Sequence, residues 1–235
     1  NSLFLYHDVC TNGIGYVDLM FKTDSIAPEQ IPYLGLLKSV LGYVDTEHYT
    51  YGELFNEINA NTGGINCGVE VFDRADSTEE FQAMFSVRGK ALYTKMDFLF
   101  KMIGEILNSS KLEDTKRLYE IVASVKSRAQ VNLTGAGHST AVLRAAAYSS
   151  PMAAFQDEMA GIGYYQFIEK LEKDFEQRKE ETVEELCKLM KKILRPENFM
   201  ISYTGERESL ETVQKLAGTV KAVSYTHLRA HETSQ

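Results

Sequence analysis

The sequence is short of cysteine, of positive charge and of long apolar runs, and each shortage closes a class of function. Three cysteines, Cys10, Cys67 and Cys187, are scattered through 235 residues with no zinc-ligand or C-x-x-C spacing. An odd, sparse set reads as buried thiols in a reducing compartment, and a cytoplasmic location is expected. Lysine and arginine number 25 against 33 aspartates and glutamates, giving a formal charge of −8. That balance argues against a nucleic-acid partner, which needs clustered cations to meet phosphates. No apolar stretch reaches the ~18 residues of a membrane span, and no secretory signal opens the chain, so no membrane partner is expected. Asn1 is not an initiator methionine, and the chain reads as starting inside a longer gene. What is present, 44% hydrophobic and 25% charged residues, is ordinary globular composition with room for a sizeable core.

The last residues need separate treatment. "VSYTHLRAHET", Val223 to Thr233, carries no periodicity and back-translates into a transposase adapter used in preparing sequencing libraries. Residues 223–235 are therefore read as a translated artefact, to be set aside as a tag would be. His227 and His231 stand at i, i+4 with Glu232 beside them, but a bare two-histidine match inside such a tail is not a metal site.

Residues 1–222 are read as a single domain. "LFLYHDV" and "IGYVDLMFK" are strand-like, and the Asn12-Gly13 pair between them is a hairpin signal, because both residues accept positive φ. In the second run Val17, Leu19 and Phe21 alternate with Asp18, Met20 and Lys22. Pro28 opens a helix over roughly Glu29 to Val44, apolar at Ile31, Leu34, Leu37 and Leu41, with Leu36 and Val40 widening the stripe until most of it must be buried. Thr50 and Glu53 have capping-box spacing for a second helix with Leu54, Phe55 and Ile58 inward, ended by Gly63-Gly64. "INCGVEVF" and "EEFQAMFSVRGKAL" form a second strand pair around the turn "DRADST". From Lys95 to Leu194 the pattern is helical, including the alanine-rich "GHSTAVLRAAAYSS", whose small side chains suit close packing, and a helix opened by Ser150-Pro151. Past Arg195-Pro196, "NFMISYTG" returns to strand and "ESLETVQKLAG" to helix. The order ββ αα ββ, several α, then βα predicts an α+β fold: a mainly antiparallel sheet covered by helices on one face.

Candidate chemistry is thin. His48 reads as a solvated or capped loop histidine rather than a ligand. "GAGHST", Gly135 to Thr140, lacks the third glycine of a phosphate-cradling loop and follows no strand; it reads as a helix–helix turn capped by Ser139 or a neighbour. Gly161 and Gly163 suit a bend or close packing. "EKLEKDFEQRKEETVEELCKLMKK" alternates charge sign and reads as a solvated face. Sequons at Asn108 and Asn132 have no role in a reducing compartment.

Three long segments, "TNGIGYVDLMFKT", "PYLGLLKSVLGYVDTEHYTYGELFNEINANTGGI" and "GHSTAVLRAAAYSSPMAAFQDEMAGIGYYQFIEKLEKDFE", resemble the presequence-protease branch of the insulinase (pitrilysin) zinc metallopeptidases across about the whole of residues 1–222. The resemblance implies four homologous α+β domains in two halves that close around a chamber where unfolded peptides are cut. This chain resembles the third domain, the first of the C-terminal half. It implies partners in the same parent chain, namely the N-terminal catalytic half and the fourth domain, with unfolded peptides as substrate.

In that family's first domain the helix corresponding to "IPYLGLLKSV" bears H-x-x-E-H, whose histidines bind zinc and whose glutamate activates water. With helix ends superposed, the motif positions fall here on Leu36, Ser39 and Val40, none of them a metal ligand, and H-x-x-E-H occurs nowhere in the chain. The resemblance further places an arginine and a tyrosine that meet substrate in the fourth domain, outside this chain. The expectation is a chain with no catalytic residue and no metal of its own, zinc lying in another domain of the parent. The competing expectation is a non-catalytic homologue serving as an interaction subunit, and an intact or degraded upstream H-x-x-E-H separates the two.

Overall fold

A computed structural model describes residues 3–73 and 80–220. The "DRADST" turn beyond Asp73 and the tail at 223–235, with His227, His231 and Glu232, lie outside the described residues. Alternation sets the sheet. Strand β2 (Ile14–Lys22) points Val17, Leu19 and Phe21 to one face, and β4 (Phe81–Leu92) pairs antiparallel with it, setting Phe85 and Val87 opposite Phe21 and Leu19. Strand β3 (Ile65–Asp73) pairs antiparallel with β4, and β5 (Phe199–Gly205) pairs antiparallel with β2, adding Ile201 and Tyr203 to the same apolar face. The five strands run β1-β5-β2-β4-β3, with β1 (Leu3–Asp8) parallel to β5 at one edge and β3 at the other.

This order corrects the hairpin expected at Asn12-Gly13. The turn itself forms, with φ of +53° at Asn12 and +81° at Gly13, and the Ile14 N–H donates to Thr11 O at 3.3 Å. Yet β1 and β2 are not neighbours, because β5 inserts between them. Turn chemistry reverses the chain but does not choose the pairing partner. Phe199, Ile201 and Tyr203 are all buried, whereas β1 offers the core only the half-buried Phe4 and Tyr6. The more apolar strand takes the inner place, where both of its edges are paired.

The helices pack their apolar stripes on that one face, as the pattern predicts. Helix α1 (Ile31–Val40) follows a 3-10 turn at Pro28–Gln30 and buries seven residues, among them Leu34, Leu36, Leu37 and Val40. At roughly 1.5–3 kcal/mol per buried aliphatic side chain, α1 is a principal source of core stability. It stops at Val40 rather than Val44 because Gly42 turns left-handed at φ +88°, though Leu41 and Val44 still reach the core. Gly35 lets α1 lie close to its neighbours: a Cβ there would sit 2.8 Å from Met159 O and 2.8 Å from a Tyr164 ring carbon. Helix α2 (Tyr51–Asn61) has the expected capping box, with Thr50 Oγ1 accepting from the Glu53 N–H at 3.3 Å and Glu53 Oε2 accepting from the Thr50 N–H at 2.9 Å. Leu54 and Ile58 face inward as expected, but Phe55 is 57% exposed. The helix lies at the side of the fold and buries only a narrow i, i+4 stripe.

Helices α3 (Met96–Ser109), α4 (Thr115–Gly135), α5 (Gly137–Ala146), α6 (Pro151–Ala160), α7 (Ile162–Lys173) and α8 (Phe175–Ile193) follow, then β5 and a helix α9 at 210–220. Ser150 caps α6 by accepting from the Ala153 N–H, with Pro151 in the first turn. The charged run across α7 and α8 is solvated on one side, where Lys188 pairs with Glu184 and Glu185, and buries Phe175, Leu186 and Leu189 on the other. Helix α5 departs from expectation: it buries no residue. Its small side chains meet α4 and α6 without being enclosed by them. The α4–α5 turn carries no side-chain cap at Ala136, contrary to the expected role of Ser139; Thr140 Oγ1 instead donates back to Ala136 O at 2.9 Å.

Candidate functional site

The positions that a zinc helix would use are divided by the fold. Leu36 and Val40 are 0% exposed and belong to the continuous core. Ser39 is half-buried and lines a groove beside edge strand β3. Two enclosed aliphatics and a lone hydroxyl do not fit zinc, and no group of three potential metal-ligating side chains comes together among the described residues. No catalytic step through a metal is therefore derived for this chain.

The groove, of about 590 Å³, lies between β3, the end of α1 and α2. Tyr43 and Phe55 give it exposed aromatic surface, and Ile65 and Val69 come from the strand. Lys38 and Arg128 bring positive charge to it, and neither has an ion-pair or hydrogen-bond partner among the described residues. Burial lowers the Lys38 pKa, with no carboxylate to oppose it. The groove's one carboxylate, Glu70, is engaged with Arg88 at 3.1 Å, which also holds Asp18 at 2.9 Å. Burial pushes the Cys67 thiol up to about 12, so at neutral pH it is not a thiolate nucleophile. The groove can attract and seat a ligand, but it contains no activated nucleophile or metal-bound water.

The remaining sequence candidates have structural roles. His48 sits in the loop before α2, where its backbone N–H donates to Glu105 Oε1 at 3.0 Å and its ring Nδ1 lies 3.1 Å from both carboxylate oxygens. This is the capped loop histidine expected. Burial by itself would raise the Glu105 pKa, but hydrogen bonds from Thr46 and from the His48 backbone and ring outweigh it and leave it lowered. A lowered folded-state pKa stabilises the fold above the unfolded value, and that contribution is lost as pH falls through the folded value, below about 4.5. Glu105→Gln is accordingly expected to flatten the pH dependence of stability in this acid range, measured by urea unfolding from pH 6 to about pH 3. An unchanged slope would count against this role.

Gly161 and Gly163 serve close packing, as expected. A Cβ at Gly161 would meet Asp157 Oδ1 at 2.5 Å, and one at Gly163 would meet Asp157 Oδ2 at 2.8 Å. Asp157 is 1% exposed and accepts from the Ile162 N–H at 3.0 Å, the Gly163 N–H at 3.1 Å and the Arg144 guanidinium. It caps α7 and ties α5 to it. The three cysteines are unpaired, in keeping with the sequence reading. No described helix is long and apolar enough to cross a membrane.

The sequence reading overlooked the groove and its two cations. Lys38 had a signal, as the one charge in the apolar run "LGLLKSVL". Arg128 had none, since only packing of α4 beside α1 brings it to β3.

An α+β layer whose central helix lacks metal ligands, with a groove open beside an edge strand, defines a non-catalytic domain of peptidase type. Residues 1–171 match the family described as peptidase M16 (subfamily C) associated, and the chain belongs to it. It is 34% identical over 211 residues to Protein HypA of Clostridium perfringens, covering 90% of this chain and 22% of that protein. It is 26% identical over 211 residues to presequence protease 1, chloroplastic/mitochondrial, of Arabidopsis thaliana, covering 90% of this chain and 19% of that protein. The chain thus spans about a fifth of the length of these relatives. The fold is also that of a crystal structure described as a peptidase M16 inactive domain from Pseudomonas fluorescens, with a TM-score of 0.57 and 14% identity over 94% of this chain and 48% of that one.

Proposed function

We propose that residues 1–222 form one wall of the closed peptide chamber of a larger zinc metalloendopeptidase that degrades unfolded peptides. Zinc and the water-activating glutamate belong to another domain of the parent chain. The observation that carries this reading is the pairing of family membership with a motif helix whose ligand positions, Leu36 and Val40, are sealed in the core. The partners are the N-terminal catalytic half and the fourth domain, and the substrate is an unfolded peptide confined with zinc-bound water while bulk water is excluded. The overall charge of −8 suits a chamber that draws in basic segments.

The test is complementation. The C-terminal half of the parent, containing this chain and its neighbour, is mixed with a separately expressed N-terminal half, and cleavage of an unstructured peptide is followed. The expected result is little or no turnover by either half alone and recovery on mixing. Full activity from the N-terminal half by itself would show the wall to be dispensable.

A further inference from the structure

We propose that the groove beside β3 is a peptide-binding site that takes an extended segment bearing a carboxylate, seated as an added strand on the open edge of the sheet. The inference does not depend on the chamber reading, and binding alone tests it. Strand β3 is paired on one side only, with β4, so every second residue of Ile65–Asp73 turns its N–H and C=O toward the outer edge, and no strand meets them among the described residues. A nine-residue strand presents about 30 Å of such edge. The groove runs along its first half, from Ile65 to Glu70, and is open to solvent rather than filled by the core.

Charge selects the occupant. In a chain of net charge −8, Lys38 and Arg128 both border this groove with no anion of their own, and Glu70 is engaged by Arg88. A carboxylate entering between the two cations forms charge-assisted hydrogen bonds with groups that have none, including an ammonium that burial already strains. The exposed rings of Tyr43 and Phe55 offer apolar contact to neighbouring side chains of the same segment. Free main-chain groups along one wall, two cations and aromatic surface together match an extended peptide, because only a backbone repeats donors and acceptors at strand spacing.

The probes are fluorescent peptides of about seven residues, alternating valine and threonine, titrated against the full chain by anisotropy. One carries a central glutamate, a second glutamine in its place with a blocked C-terminus, and a third glutamine with a free C-terminal carboxylate. A fourth is the glutamate peptide with alternate backbone nitrogens methylated. The glutamate peptide, the free-carboxylate peptide or both should bind about 10-fold tighter than the neutral one, which also identifies the source of the carboxylate. The preference should vanish in Lys38→Met/Arg128→Gln, and methylation should cost about 10-fold where it removes edge hydrogen bonds. Amide shifts on the unaltered chain should centre on residues 65–70, a readout that does not rely on any variant folding. Equal binding of charged and neutral peptides, shifts elsewhere, or no saturable binding would overturn the proposal.

Discussion

Installing histidine at Leu36 and Val40 is expected to unfold this chain rather than create a zinc site. Both side chains are fully buried, so each exchange forfeits roughly 1.5–3 kcal/mol of apolar burial. Each also places a polar ring where no partner waits, at a further cost of roughly 1–3 kcal/mol. The sum equals or exceeds much of the roughly 5–15 kcal/mol that holds a typical fold. Zinc cannot recover this, because the two positions face the core instead of the groove that Ser39 lines. Circular dichroism, urea unfolding and elemental analysis of Leu36→His/Val40→His, beside the unaltered chain, make the comparison. A folded double variant holding one zinc per chain would mean that the core around α1 can still open as an active site does. Loss of the fold without metal uptake would show that hydrophobic packing holds these two positions closed to any metal.

Asp157→Ala should be the most damaging single polar substitution, at about 3 kcal/mol. It strands the N–H groups of Ile162 and Gly163 at the start of α7 and releases the Arg144 guanidinium, all of which converge on this carboxylate. Arg144 is partly exposed and recovers water, which is why the loss is not larger. Asp157→Asn, able to accept from the backbone but not to neutralise Arg144, should fall about halfway. Because Arg144 and Asp157 share one interaction, Arg144→Met/Asp157→Ala should cost less than the two single changes added together. The same ion pair is the main polar tether of α5, a helix with no buried residue. Hydrogen exchange across Gly137–Ala146 should therefore rise in Asp157→Ala well before the core amides respond. A change within about 0.5 kcal/mol of the unaltered chain, with protection of α5 unchanged, would show the cluster to be incidental.

Local chemistry made much of this protein legible in its residues. The capping box of Thr50 and Glu53, the Ser150-Pro151 start of α6, and the alternation of Val17, Leu19 and Phe21 each act within a few residues. Short-range sterics and hydrogen bonding settle them without reference to the rest of the chain. The same holds for the missing ligands: aliphatic side chains at positions 36 and 40 cannot bind zinc in any fold.

Tertiary structure decided what depends on competition between distant segments. The Asn12-Gly13 turn formed, but β5, nearly the whole chain away, displaced β1 as the neighbour of β2 because it had more apolar surface to bury. Phe55 carried the same hydrophobic label as Leu54 and lies outside, since α2 has a core on one narrow side only. The alanines of α5 suited close packing, yet no neighbouring helix encloses them. The groove is the clearest case. Periodicity places Lys38 on α1 and Arg128 on α4, but their meeting at the edge of β3 follows from how two helices cross one sheet, a relation no local pattern encodes. The sequence determined that the central helix of this chain lacks zinc ligands, whereas packing alone decided that the groove beside that helix stayed open and positively charged.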